Sequence, residues 1–170
     1  GQLEEGRCGH ASCLITNKDG THNEIVSSGG MTGPKEGGGL ISSIESSPLS
    51  NDSYEKAKCS GLPTMPHART NHQMIFHDGC LFFFGGQTDD CESDRLCSIL
   101  ELEHKVWLEG PLLPEAVPHS DSANLFDRFV VLSGGQSSSE TTEQRFWLLD
   151  LTPWSKWAHA KLKKCCDQVG

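Results

Sequence analysis

Eight cysteines and eight histidines are the residues of this chain best suited to chemistry. Structural zinc sites usually draw on thiolate pairs two to four residues apart. Cys8 and Cys13, with His10 between them, sit at the wide end of that spacing; Cys91 and Cys97 exceed it, and Cys165 and Cys166 are adjacent. A buried free cysteine packs as a small hydrophobe. Cys80 lies inside an apolar run and Cys59 at an expected core position. We therefore read core thiols, reduced within a cell, and expect no metal and a cytoplasmic location.

Nucleophilic catalysis finds no G-x-S-x-G elbow. Ser-Gly-Gly at 28–30 and 133–135 is not followed by a helix pattern or a Gly-Lys-Ser/Thr ending, so a phosphate loop is excluded on context. His10, His72 and His119 recur at matching places, which favours a structural role. No catalytic residue and no cofactor is expected. Asn51-Asp52-Ser53 is a formal glycosylation triplet of a kind common by chance.

The chain has a net charge of −9, and its one small basic cluster is Lys161, Lys163 and Lys164. Nucleic-acid binders present a basic face, so no nucleic-acid partner is expected. A basic protein segment suits the balance better. Only 22% of residues are charged, so the chain should fold. No run approaches the apolar length of a membrane span. The opening Gly1-Gln2, with no initiator Met or leader pattern, leads us to expect a longer parent chain.

The elements that would position these residues show best in "HARTNHQMIFHDGCLFFFGGQ", residues 67–87. Asp78-Gly79 is a two-residue hairpin signal joining strands over 72–76 and 80–84. A continuous apolar strand is buried on both faces. The following Gly85-Gly86 permits positive φ or the close approach of another backbone.

The same grammar recurs at 7–30 and 118–135. Its Gly-Gly pairs start at 29, 85 and 134, a period near 50 that marks stacked units. After each pair comes a polar loop. "LCSILELEHKVW" then reads as a strand, a turn and a strand opening with Trp107, and "FWLLDLTPWSKW" reads the same way, ending on Trp157. Each unit is expected to have four strands.

This pattern resembles the kelch repeat. The second unit carries Arg69, His72, Gly85, Gly86, Glu101, Trp107, Pro111 and Pro114 of the family pattern. The first keeps Arg7, His10, Gly29 and Gly30, has Cys59 where Trp is expected, and carries an insertion at about 36–54. The third keeps Gly134, Gly135, Asp150 and Trp157, lacks the Arg, and offers His119 for the His. The resemblance implies an all-β, kelch-type β-propeller, incomplete, with about three four-stranded antiparallel blades. The blades would span 4–66, 67–117 and 118–163, with a tail at 164–170 that does not open another unit. Arg7, His10, Arg69, His72, Trp107, Trp157 and the glycine pairs would be structural. Three blades do not close a ring, so the remaining blades are expected from the parent chain.

Some kelch-like blades carry a copper oxidase site with two tyrosines; the single Tyr54, in the insertion, cannot build one. The resemblance instead implies a module for binding a protein partner. It includes substrate receptors of cullin-RING ubiquitin ligases, actin-binding scaffolds, and accessory domains of enzymes whose catalytic part lies elsewhere. Loops after each Gly-Gly, at 31–39, 87–95 and 136–144, would line the partner face. The second is acidic through Asp89, Asp90, Glu92 and Asp94 and ends on Arg95; the third adds Glu140 and Glu143. These residues are the expected partner-binding set, an acidic rim suited to a basic peptide segment.

Overall fold

A computed structural model of the chain describes residues 3–16, 23–33, 38–49, 58–59, 61–89, 95–113, 121–126, 128–134 and 146–167. It is mostly β, built as three antiparallel sheets and one helix. The first sheet runs in chain order through β1 (Ala11–Thr16), β2 (Asn23–Ser28), β3 (Ile44–Leu49) and β4 (Lys58–Cys59). The second does the same with β5 (Gln73–His77), β6 (Cys80–Phe84), β7 (Leu96–Glu101) and β8 (Val106–Leu112). The third has β9 (Asp121–Leu125), β10 (Phe129–Ser133) and β11 (Phe146–Asp150), followed by α1 (Thr152–Asp167).

The expected hairpin is present. Asp78 and Gly79 both take positive φ, 45° and 73°, which matches the right-handed twist of the strands they join. Met74 pairs with Phe83 and Phe76 with Leu81 across β5 and β6. All five residues of β6 are buried. Leu81 and Phe83 join Met74, Leu100, Val26 and Ile44 in the core shared with the first sheet. Cys80, Phe82 and Phe84 join Ile75, Ile99, Val130 and Leu132 in the core shared with the third. Each such side chain contributes roughly 1.5–3 kcal/mol. The apolar run is continuous because the middle sheet is covered on both sides.

Two expectations are corrected. Part of the stretch read as an insertion at about 36–54 is β3, paired with β2 over its whole length. Ser46, Ser47 and Pro48 disguise it, and Ile44 and Glu45 anchor it, both buried. In the third unit the expected fourth strand is instead α1, so this sheet has three strands among the described residues and Trp157 sits on a helix. Trp154, Ala158 and Leu162 follow Leu151 at helical spacing and pack with it in the core. Pro153 falls in the first turn, where a missing N–H costs nothing. Asp150 accepts from the Thr152 N–H at 3.0 Å and fixes the start. No helix among the described residues is long and apolar enough to cross a membrane.

Candidate functional site

At the glycine pairs the two four-stranded sheets are built in the same way. Gly29 and Gly30 have φ of 61° and 95°, and Gly85 and Gly86 of 58° and 89°. Gly134 matches the first member at 68°, while Gly135 lies outside the described residues. Close approach forbids a side chain: a Cβ on Gly29 would lie 2.5 Å from the Arg69 carbonyl oxygen, and one on Gly86 2.8 Å from that of Thr70. The Gly30 N–H donates to the Arg69 carbonyl at 2.9 Å, tying the first sheet to the second at this end.

An arginine locks each of the first two pairs. Arg7 donates to the Gly29 carbonyl at 3.1 Å, to the Ser43 carbonyl at 3.2 Å and to the Glu45 carboxylate. Arg69 donates to the Gly85 carbonyl at 3.1 Å, to the Leu96 carbonyl at 3.3 Å and to the Ser98 hydroxyl at 3.3 Å. The next residue then bridges to the residue after the pair, Cys8 with Met31 and Thr70 with Gln87. These backbone pairs hold the start of each following loop on a rigid base.

The two loop starts converge on one open pocket of about 360 Å³. Met31, Gly38, Gly39 and Leu40 form its first wall, and Thr70, Gln87, Thr88 and Asp89 its second. Thr70 and Thr88 are buried, whereas Met31, Gln87 and Asp89 are exposed. A neighbouring hollow of about 450 Å³ shares Gly39 and Leu40 with it and is lined further by Glu5, Thr32, Ile41, Ser42 and Ser43. Such a surface offers apolar contact at Met31 and Leu40, hydroxyl groups, and a carboxylate at the edge.

Of the expected acidic rim, Asp89 lies on this pocket. Asp90, Glu92, Asp94, Glu140 and Glu143 lie outside the described residues. Arg95 is exposed, but its Nε donates to the Leu113 carbonyl at 2.8 Å and the Leu113 N–H returns the bond, so it closes the end of β8. Thr70 and Leu40 were missed by sequence reasoning. Thr70 had a signal: it follows Arg69 as Cys8 follows Arg7.

The structural residues separate by position. His72 is buried between the first two sheets, its Nε2 2.9 Å from the Ser28 hydroxyl and its ring stacked on Phe83. Burial, with help from Arg69 and His10, holds its pKa down at about 3, so the ring is neutral. His10, in the same place on the first sheet, is exposed. Trp107 tilts against Phe83 with ring centroids 5.0 Å apart. Trp157 meets Trp154 edge-on and carries Lys161 over its ring. Cys8, Cys13, Cys80 and Cys97 are free, and burial pushes the last three up to about 12, which makes them poor nucleophiles.

At the opposite end of the second sheet, buried Glu101 accepts from the His104 N–H at 2.8 Å and faces its Nδ1 at 3.0 Å. Glu101, Glu103 and His104 are the one set among the described residues whose metal-ligating atoms gather within 4.8 Å. Cys8, His10 and Cys13 do not gather so. The bonds to Glu101 shape the turn between β7 and β8, where Lys105 takes a positive φ.

A scan against protein-family models matches none of them to this chain, and a search of curated proteins finds no relative.

Proposed function

We propose that the chain is a protein-interaction module, an incomplete kelch-type β-propeller that receives a protein partner at its Gly-Gly end. The observation that carries this reading is the convergence of the loops after Gly29-Gly30 and Gly85-Gly86 on one pocket, with Asp89 at its edge. Rigid sheets presenting variable loops suit recognition. The net charge of −9 and the acidic residues at 89, 90, 92 and 94 favour a basic peptide segment. The recurring histidine His72 at this end is buried and neutral, which suits a structural role. Within this class, substrate recognition for a cullin-RING ubiquitin ligase in the cytoplasm is the context we propose.

Affinity capture with the intact protein, followed by mass spectrometry, identifies the partner. Replacing Asp89 and Asp90 together with Asn should weaken binding of that partner about 3- to 10-fold, as expected when two rim charges are removed. The loss should shrink at high salt. Unchanged affinity would remove the acidic-rim reading.

A further inference from the structure

Glu101 ends β7 at the far end of the second sheet from Gly85-Gly86, and its side chain is 1% exposed. The His104 N–H donates to its Oε2 at 2.8 Å, and His104 Nδ1 lies 3.0 Å from the same oxygen. Its Oε1 takes no hydrogen bond among the described residues and faces His159 Nδ1 at 3.7 Å. A buried carboxylate oxygen without a partner is costly. The two imidazoles flank this one carboxylate.

Asp78 fixes the hydrogen on His159. The ring's Nε2 lies 2.9 Å from the Asp78 carbonyl oxygen, which only accepts, so Nε2 carries the hydrogen. In a neutral imidazole the other nitrogen is then a bare acceptor. Nδ1 and Glu101 Oε1 thus face each other with lone pairs on both sides. A positive species belongs between them, either a second proton on the ring or a metal ion.

The surroundings favour the ion. Ligand atoms of Glu101, Glu103 and His104 already lie within 4.8 Å of one another. Tetrahedral zinc spaces its ligand atoms roughly 3.3 Å apart. The two imidazoles stand 3.0 and 3.7 Å from Glu101. The side chains of His104 and His159 are 42% and 39% exposed, so both rings have room to turn onto one ion while buried Glu101 stays in place. The base is firm: the Leu102 N–H donates to the Gly79 carbonyl at 3.0 Å, tying the β7–β8 turn to the β5–β6 turn. The cysteine spacings behind the expectation of no metal do not concern this set.

We propose that Glu101, His104 and His159 bind a zinc ion, with Glu103 as the fourth ligand, and that the ion fastens α1 to the second sheet. Imidazole with carboxylate suits zinc, whereas calcium and magnesium draw on oxygen ligands.

Cobalt(II), titrated into the full chain with its thiols reduced, tests this by visible absorption. Tetrahedral ligand-field bands should appear without a thiolate charge-transfer band, and zinc should abolish them. Zinc should also raise the unfolding temperature. His104→Gln and His159→Gln, both at half-exposed positions, should each weaken cobalt binding at least about 10-fold and remove most of the zinc-dependent rise, with an unchanged circular dichroism spectrum. Glu103→Gln replaces either variant that loses its spectrum. A wild-type chain without tetrahedral bands overturns the proposal. So does a spectrum dominated by thiolate bands, since cysteines would then hold the ion. So does a His159→Gln variant with wild-type cobalt affinity, because the ring is then only a protonated strut between Asp78 and Glu101. None of these outcomes bears on the Asp89 test.

Discussion

His72 Nε2 and Ser28 Oγ lie 2.9 Å apart across the boundary between the first and second sheets. The histidine side chain is buried, and among the described residues its Nδ1 has no hydrogen-bond partner. A protonated ring would put an uncompensated charge in this boundary. The chain thus uses the histidine of its repeat as a neutral strut between sheets.

A pH dependence follows. The folded pKa of His72, about 3, lies below the ordinary value of 6.5, so the unfolded chain binds the proton more readily. Stability is therefore lost as pH falls from about 6.5 toward 3. Between pH 7 and 5, where most carboxylates stay ionised, this one group should cost roughly 2 kcal/mol. Urea unfolding at both pH values measures it. His72→Gln should remove most of that slope, and a variant with the wild-type slope would contradict the assignment.

The glycines separate two costs. Gly29 and Gly61 have nearly the same φ, 61° and 65°, but a Cβ on Gly29 meets the Arg69 carbonyl, whereas one on Gly61 meets nothing within 4 Å. Gly61→Ala should cost about 1 kcal/mol, the strain of the left-handed region. Gly29→Ala should cost about 2–4 kcal/mol, because the sheets must also part. Thermal unfolding of both variants gives the difference directly; equal losses would mean the close approach has no weight.

Arg7 and Glu45 form a buried ion pair, their side chains 0% and 3% exposed. Removing Glu45 leaves Arg7 with only the half-exposed Glu5 carboxylate at 3.6 Å, at a cost of about 3 kcal/mol. Glu45→Ala should lower the unfolding midpoint by that amount. The Ser98→Ala change on the second sheet, where Arg69 also donates to two carbonyls, should cost about 1 kcal/mol.

The helix that replaces the expected strand is testable by proline. Lys156 is exposed in the interior of α1. Lys156→Pro should destabilise by about 3 kcal/mol and Lys156→Ala by almost nothing. Similar small effects for both would argue against a helix at 152–167.

The parts of this fold that were legible are those with local chemistry. Asp78-Gly79 dictates a hairpin, the run from Cys80 to Phe84 dictates two buried faces, and the first two glycine pairs mark strand ends where backbones crowd. β3 was hidden because Ser46-Ser47-Pro48 has no strand propensity of its own; β2, and Arg7 bound to Glu45, hold it in place. α1 was misread because Trp154 and Trp157 suggested a strand of the repeat, while its helical spacing shows only when Leu151, Ala158 and Leu162 are counted with Trp154. The candidate site was legible as two loops and not as a pocket, because Thr70 and Leu40 reach it through pairings distant in sequence.

Hydrogen exchange of the intact protein, with and without its captured partner, tests the central functional reading most directly. Binding should slow exchange at Met31, at Gly38 to Leu40 and at Gln87 to Asp89, the walls of the pocket, and leave the turn from Leu102 to Lys105 unchanged. Protection confined to that turn, at the far end of the second sheet, would place the partner on the wrong side and contradict the account.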